Sequence, residues 1–322
     1  MTKFLITGGA GFVGSHLTDS LLARGESVIV LDDLSTGRKR NFEHHLGKPS
    51  FDFVEGSILN EGLVSDLVSQ SDHVLHLAAA VGVFNIVQNP LESLATNIRG
   101  SEIVLEQAAK FGTPVLVTST SEIYGKNTSD ALSEEDDRIL GSPIKTRWSY
   151  SEAKAIEEVL AYSYWKSRGL ETRIVRLFNT VGPRQVGHYG MVVPRFVDAA
   201  LTGEDIVVYG DGKQTRCFGH VNDIVRGILS VIDSRATIGE VVNLGINAEI
   251  SIEGLAQRII EITESTSQIK FISYSEAYEE GFEDMQRRVP STKKIESLTG
   301  WKAELDLDRI IRDVIADAPA RK

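Results

Sequence analysis

A glycine-rich turn near the N-terminus constrains the fold of this chain more than any other feature of its sequence. Lys3 to Thr7 is a short, mostly apolar run, typical of a buried strand, and an amphipathic helical pattern follows the turn. Between them lies Gly8-Gly9-Ala10-Gly11-Phe12-Val13-Gly14. In such a unit Gly8 permits a tight turn, Gly11 lets the backbone approach a pyrophosphate, and Gly14 lets helix and strand pack closely. The unit predicts a dinucleotide site with the phosphates at the helix N-terminus.

The second predicted strand ends in carboxylates. It runs from Ser27 to Leu31, and Asp32 and Asp33 follow it. About twenty residues after the glycines, a carboxylate accepts hydrogen bonds from the adenosine ribose and repels a 2′-phosphate. The sequence therefore favours NAD over NADP, while the basic run Arg38-Lys39-Arg40 keeps NADP as an alternative.

Later segments alternate between strand and helix patterns. Strands are predicted at 51–55, 73–77, 115–118 and 172–176, and helices at 97–111 and 149–168. The pattern loosens after Gly182, with helices at 193–201 and 221–234 and strands at 206–209 and 269–273. Because strands and helices alternate, we expect an α/β fold with a parallel sheet covered on both faces. A smaller C-terminal cap would be interleaved with this large nucleotide-binding domain.

Composition narrows the possible partners. A formal net charge of −11 argues against a nucleic-acid-binding protein, which would carry a basic face. The only cysteine, Cys217, excludes an internal disulfide and suits a reducing cytoplasm, and we expect it to be a buried small side chain. No apolar run reaches membrane-spanning length, so we expect neither signal peptide nor membrane anchor. We also expect no metal cofactor.

Tyr150 and Lys154 form the most informative pair of polar side chains. On the helix predicted at 149–168 they lie one turn apart on the same face. An ammonium beside a phenol favours the phenolate, so we expect the pKa of Tyr150 to fall from about 10 towards neutrality. Such a Tyr removes a proton from a sugar hydroxyl while hydride leaves for a nicotinamide. The pair is informative because it accompanies the glycine turn and a Ser/Thr cluster at 118–121.

Taken together, these motifs resemble the extended short-chain dehydrogenase/reductase family, in its NAD-dependent nucleotide-sugar epimerase, dehydratase and decarboxylase branch. The resemblance runs from residue 3 to about Trp301 and rests on the glycine turn, Asp32-Asp33-Leu34-Ser35-Thr36-Gly37, Leu75-His76-Leu77-Ala78-Ala79, Tyr150 with Lys154, Arg176-Leu177-Phe178-Asn179 with Gly182-Pro183-Arg184, and Val208-Tyr209-Gly210 with Gln214-Thr215-Arg216.

The resemblance implies a Rossmann-type, doubly wound parallel sheet with a smaller, mixed α/β C-terminal substrate-binding domain. Residues 1–180, with 218–247 returning to them, would form the NAD-binding domain. Residues 181–217 and 248–322 would form the cap that binds the nucleotide sugar, for which the resemblance favours a UDP-linked substrate. Members of the family are usually homodimers built on a four-helix bundle.

The resemblance also assigns site residues by position. Thr120, Glu122, Tyr150 and Lys154 would be catalytic, with Thr120 binding the sugar 4-hydroxyl. NAD would contact Gly8, Gly11, Phe12, Val13, Gly14, Asp32, Asp33, Ser35, Thr36, Gly37, Ser57, Ile58, Leu77, Ala78, Ala79, Tyr150 and Lys154. The substrate would contact Ser121, Asn179, Val193, Tyr209, Arg216, Arg287 and Arg288, with Tyr209 near the base and arginines clamping the diphosphate.

The reaction depends on the fate of the sugar after oxidation at C4. All members of the branch form a 4-keto sugar, which is then re-reduced, dehydrated or decarboxylated. The run Thr118-Ser119-Thr120-Ser121-Glu122 resembles that of the UDP-glucuronate decarboxylases and also that of the GDP-mannose dehydratases. We therefore favour UDP-glucuronate decarboxylation. The alternatives are 4-epimerisation of a UDP-sugar or UDP-glucuronate, 4,6-dehydration, and binding of NAD or nucleotide sugar without turnover.

Overall fold

The computed structural model describes residues 1–81, 89–187, 191–273, 285 and 287–321. Its strands are β1 Lys3–Thr7, β2 Ser27–Asp32, β3 Phe51–Glu55, β4 His73–His76, β5 Val115–Thr120, β6 Thr172–Leu177, β7 Thr180–Val181, β8 Ile206–Tyr209, β9 Thr215–Cys217, β10 Gly219–His220, β11 Val241–Leu244, β12 Glu249–Ser251 and β13 Ile269–Ile272.

The helices cover the sheet and build the second, smaller core. They are α1 Phe12–Ala23, α2 Glu61–Ser69, α3 Pro90–Leu94, α4 Ser101–Phe111, α5 Ser149–Arg168, α6 Val192–Thr202, α7 Val221–Asp233, α8 Ile252–Thr263, α9 Lys293–Thr299 and α10 Leu307–Arg321. A π-helical segment at Ala95–Gly100 joins α3 to α4.

Seven strands form one parallel sheet in the order β11-β6-β5-β4-β1-β2-β3. The chain runs outwards from β1 to β3, then crosses to β4 and runs outwards the other way. The fold is therefore a Rossmann-type, doubly wound α/β fold. The strand order reverses between β1 and β4, and ligands bind such sheets at the carboxyl ends of the strands around this point.

Two apolar cores lie against the sheet, because its central strands are buried on both sides. All six residues of β5 are buried, as expected for a parallel strand between helices. The core that includes Leu17 and Ile228 contains side chains of α1 and α7, and the core that includes Val64 and Val104 contains side chains of α2 and α4. The sheet therefore provides a rigid base for residues at its carboxyl edge.

A third apolar core lies among α6, α8 and α10 and includes Phe196, Leu255 and Ile311. Around it are three two-stranded sheets, β7 with β10, β9 with β12, and β8 with β13. The chain returns to the large sheet through α7 and β11 before completing this region. The domain division at residues 180, 217 and 247 stays a prediction.

The sequence pattern predicted the long elements better than the short ones. The strands predicted at 3–7, 51–55 and 206–209 have these bounds, and so does the helix at 149–168. The strand β11 was not predicted, and the two- and three-residue strands of the smaller region are too short for periodicity to reveal. In the part of the chain that the structure describes, no helix is both long and apolar enough to cross a membrane.

Candidate active site

A cleft of 560 Å³ opens where the glycine turn meets the carboxyl ends of β1, β4 and β5. An added Cβ at Gly8, whose φ is +73°, would lie 2.7 Å from the backbone nitrogen of Ala78. An added Cβ at Gly14 would lie 2.3 Å from the Gly8 carbonyl oxygen. Both positions therefore require glycine, because the opposing atoms belong to the backbone and cannot move aside.

The first turn of α1 suits an anion. Gly11 is the N-cap residue and offers no side chain to the first-turn N–H groups. Phe12, Val13 and Gly14 line the cleft. Uncapped N–H groups at a helix N-terminus bind phosphate well, because they donate hydrogen bonds and carry the positive end of the helix dipole. This turn therefore fits the pyrophosphate of NAD.

Asp32 closes the adenosine end of the cleft. One carboxylate oxygen accepts a hydrogen bond from the Ala10 N–H at 2.9 Å, and the other accepts one from the Leu34 N–H at 2.8 Å. Burial raises the pKa of Asp32, although these two hydrogen bonds oppose the shift. Each oxygen keeps a second lone pair for a ribose hydroxyl. The residue thus fits the predicted NAD contact.

Nearly all of the predicted cofactor residues line this one cleft. Among the predicted cofactor residues, Gly37 and Ser57 do not line the cleft in the part of the chain that the structure describes. A Cβ on Gly37 would lie 2.6 Å from Asp32 Oδ1, so this glycine packs behind the carboxylate. The Ser57 hydroxyl accepts a hydrogen bond from the Leu59 N–H at 3.2 Å and stabilises a turn.

Thr120, Tyr150 and Lys154 come together in the same cleft. Thr120 is the last residue of β5, which extends two residues further than predicted, and its Oγ1 accepts a hydrogen bond from the Glu122 N–H at 3.2 Å. Lys154 Nζ donates to the Thr118 carbonyl at 2.9 Å and to Glu157 Oε2 at 2.6 Å. The fold therefore joins the end of β5 to the first turns of α5.

The surroundings of Tyr150 contradict the pKa expected from the sequence. Burial raises the pKa of Tyr150 above its ordinary value, and the negative charges of Glu122 and Glu157 raise it further. The Lys154 ammonium forms an ion pair with the Glu157 carboxylate. The expectation that the pKa of Tyr150 falls from about 10 towards neutrality was therefore wrong.

Glu122 lies in a cluster of arginines. Arg147 Nη1 donates to Glu122 Oε2 at 2.5 Å, and Arg288 Nη2 lies 3.7 Å from Glu122 Oε1. Arg288 Nη1 also donates to the Ser121 hydroxyl at 3.3 Å. Burial opposes ionisation of Glu122, but the charges of Arg147, Arg288 and Arg216 outweigh it and hold the pKa of Glu122 below its ordinary value. Glu122 is therefore a carboxylate and a weak base.

Arg147 was missing from the predicted site residues. It lies in a short 3₁₀ turn, Thr146–Trp148, directly before α5, and it is buried. Its position three residues before Tyr150 was the available signal, but only the fold brings it to Glu122.

Of the remaining predicted substrate residues, Arg216 lies close enough for its charge to act on Glu122, and the others are dispersed. Asn179 Nδ2 donates to the Cys217 carbonyl at 3.0 Å, and Arg216 Nη1 donates to the Thr215 carbonyl at 2.8 Å. Val193 is buried in the core among α6, α8 and α10. Arg287 is half-buried and forms two hydrogen bonds of 2.9 Å with the Glu249 carboxylate, so it lies outside the Glu122 cluster.

Tyr209 lies at a second cleft of 550 Å³, which adjoins the first because Arg38 and Val186 line both. The Arg195 guanidinium lies over the Tyr209 ring, 4.2 Å from its centroid. Arg195 was not predicted as a site residue. A guanidinium stacked on an aromatic ring provides a flat surface suited to a planar base.

The chain is similar to nucleotide-sugar enzymes along nearly its whole length. It matches the profile of the NAD dependent epimerase/dehydratase family over residues 4–245. It is 40% identical to the UDP-N-acetyl-alpha-D-glucosaminuronate decarboxylase of Bacillus cytotoxicus, over 97% of this chain and 96% of that protein. It is 39% identical to UDP-glucuronic acid decarboxylase 1 of Xenopus tropicalis, over 97% of this chain and 71% of that protein.

Solved structures have the same fold. The UDP-glucuronic acid 4-epimerase of Bacillus cereus, in complex with UDP-glucuronic acid and NAD, matches with a TM-score of 0.89 at 26% identity. The match covers 99% of each chain.

Proposed function

The chain belongs to the NAD-dependent epimerase/dehydratase family, and from this membership we propose that it decarboxylates UDP-glucuronate through a 4-keto intermediate. One observation carries the proposal. Two relatives, 40% and 39% identical over 97% of the chain, are both decarboxylases of UDP-linked hexuronates. The residues of the cleft are suited to both steps of this reaction, oxidation at C4 and loss of carbon dioxide.

The first step is oxidation at C4 of the sugar. When bound along the glycine turn and Asp32, NAD supplies the acceptor for the hydrogen and electron pair that leave C4. We assign Tyr150 as the base that takes the O4 proton, in the phenolate form that the Lys154 ammonium and the positive charge of a bound nicotinamide would favour, and Thr120 as the hydroxyl that holds O4. Lys154 holds the carboxyl end of β5 close to α5 through its hydrogen bond to the Thr118 carbonyl.

Decarboxylation follows from the chemistry of the oxidised sugar. A ketone at C4 lies β to the C6 carboxylate, so the electron pair left by departing carbon dioxide delocalises onto the ketone oxygen. This step requires no base at C5. C5 then takes up a proton, and return of the hydride to C4 gives a product lighter by one carbon dioxide. The arginines beside Glu122 and Ser121 are suited to bind the C6 carboxylate, because guanidinium groups pair well with carboxylates.

Dehydration is disfavoured by the state of Glu122. A dehydratase must remove the C5 proton with a base, and base strength falls as pKa falls. The arginines keep the pKa of Glu122 below its ordinary value. We therefore place Glu122 as the carboxylate that balances and orients Arg147 and Arg288.

A 4-epimerase acting on UDP-glucuronate is the second candidate. The solved epimerase from Bacillus cereus shares the fold along 99% of both chains and acts on the same uronate. In an epimerase the 4-keto sugar is re-reduced with its carboxylate intact, so the two candidates differ only after C4 oxidation.

Product mass distinguishes the candidates. We expect incubation with UDP-glucuronate to yield a product lighter by one carbon dioxide. UDP-N-acetylglucosaminuronate tests the other uronate accepted by a relative, and UDP-glucose, which lacks the carboxylate, is the matched control. An isomer of unchanged mass would support the epimerase, and loss of water from UDP-glucose would support a dehydratase.

We further propose a homodimer that forms through α4 and α5 and works in the cytoplasm. Ile156, Val159 and Tyr162 lie on α5 opposite the face that carries Tyr150 and Lys154, and they are exposed by 41%, 63% and 46%. Burying this apolar face against a second copy would remove it from water.

Val159→Lys should convert the dimer to a monomer, because it places a charge at the centre of this face. Size-exclusion chromatography with light scattering measures the change. Leu201→Lys is the matched control, since Leu201 is also exposed, at 47%, but lies on α6. A dimeric Val159→Lys protein would contradict this interface.

A further inference from the structure

The loop after β7 carries an arginine in a strained backbone conformation at the edge of the cofactor cleft. Gly182-Pro183-Arg184 is one of the sequence motifs, and the proposed function gives Arg184 no role. The φ of Arg184 is +69°, in the left-handed region that residues other than glycine rarely adopt. Such strain persists only where surrounding contacts enforce it, and it is common at ligand-binding positions. Arg184 lines the same cleft as the glycine turn and Asp32.

Contacts with two helices hold Arg184 in place. Its Nη2 donates to Asp19 Oδ2 on α1 at 2.6 Å, and its backbone N–H donates to Asp317 Oδ2 on α10 at 3.0 Å. The carbonyl of the preceding residue, Pro183, accepts a hydrogen bond of 3.0 Å from His16 Nε2, which is also on α1. The guanidinium is therefore fixed beside α1, the helix whose first turn suits the pyrophosphate of NAD.

Arg184 and its neighbour Gln185 each have a buried polar atom without a hydrogen-bond partner in the described part of the chain. In Arg184 this atom is the donor Nη1, and in Gln185 it is the acceptor Oε1. Gln185 also lines the cleft and is only 6% exposed, and its Nε2 donates to the Thr180 carbonyl at 2.9 Å. A buried polar group without a partner is costly, so a donor and an acceptor of this kind beside the cleft indicate a ligand.

Charge and position identify the part of the cofactor that fits these two atoms. Among the described residues, the other cations that line the cleft are Arg38 and Lys154. Arg38 follows Asp32 at the adenosine end, and Lys154 accompanies Tyr150 at the end where the sugar is oxidised. The diphosphate of a dinucleotide lies between these ends, where Arg184 is the remaining cation. Phosphate oxygens accept hydrogen bonds and the adjoining ribose hydroxyls donate them, so a ribose diphosphate satisfies both a donor and an acceptor.

We propose that Arg184 donates a hydrogen bond to the diphosphate of NAD and that Gln185 accepts one from an adjoining ribose hydroxyl. The proposal rests on the NAD-dependent function proposed above. Asp19 keeps the guanidinium near the diphosphate, and a small rotation of each side chain towards the cleft brings its atom to the cofactor. An arginine suits this position because its planar guanidinium can pair with a carboxylate and a phosphate at once.

Arg184→Met removes the donor and keeps much of the side chain's length. We expect the dissociation constants for NAD and ADP-ribose to rise alike, by about 10–100-fold, as for the loss of a hydrogen bond to a charged group. Those for UDP and for adenosine, which lacks phosphate, should stay unchanged. Gln185→Leu should raise the constants for NAD and ADP-ribose by about 3–10-fold, the scale of a neutral hydrogen bond. Isothermal titration calorimetry of nucleotide-free protein measures these constants. Arg24→Met is the matched control, because Arg24 pairs with Asp233 at the surface and does not line the cleft.

Unchanged affinity of Arg184→Met for NAD would overturn the proposal. So would a loss confined to NAD, which indicates a nicotinamide contact, a loss for UDP in place of NAD, which indicates the substrate's diphosphate, or an equal loss for adenosine, which indicates general distortion of the cleft. If Arg184→Met fails to fold, Gln185→Leu decides by the same comparison. The proposed function is tested separately by product mass, so wild-type protein that binds NAD and yields no decarboxylated product would disprove that function and leave this contact standing.

Discussion

Tyr150→Phe should reduce turnover of UDP-glucuronate by about 10²–10⁴-fold, the usual contribution of a positioned proton transfer. Phenylalanine retains the ring and removes only the hydroxyl that we assign to the O4 proton. The loss should therefore appear in kcat, while the dissociation constant for UDP-glucuronate changes little. Steady-state kinetics and equilibrium binding measure the two effects separately.

Tyr162→Phe is the matched control for this change. Tyr162 lies on the same helix, α5, on the opposite face that we propose for the dimer, and it does not line the cleft. It should have wild-type turnover. If Tyr150→Phe instead keeps turnover of the wild-type order, the phenol is not the base, and the proposed mechanism fails at its first step.

Glu122→Gln should slow turnover by on the order of 10²-fold, the scale found when one preorganised electrostatic contact is removed from an active site. The change leaves Arg147 and Arg288 without their balancing carboxylate. The positive charge of the arginines then stabilises the bound substrate more than the transition state, because the negative charge of the substrate carboxylate is lost as carbon dioxide departs. The step after C4 oxidation becomes slow, so absorbance of reduced nicotinamide should accumulate during turnover.

Glu249→Gln provides the comparison, because Glu249 also binds an arginine, Arg287, but does so at the exposed rim. It should neither slow turnover nor raise the absorbance. Normal product formation by Glu122→Gln without a build-up of reduced nicotinamide would exclude a role for Glu122 after oxidation. That result would favour the 4-epimerase.

The cofactor half of the site could be predicted from sequence because its signals are local. The glycine turn requires small residues at Gly8 and Gly14 within one strand–turn–helix unit, and Asp32 ends the next strand. The pairing of Tyr150 with Lys154 follows from helical spacing alone. These features involve residues only a few positions apart in the chain, so they can be recognised from the sequence alone.

The charge states of the residues around the sugar-binding part of the site were decided only by the tertiary structure. Glu122 meets Arg147 across 25 residues, and Ser121 meets Arg288 across 167. Lys154 was expected to lower the pKa of Tyr150, but burial and the charges of Glu122 and Glu157 raise it. The sequence by itself determined which residues form the dinucleotide turn and the catalytic helix face. Only the fold decided their charge states, because a pKa depends on burial and on charges that distant segments bring together.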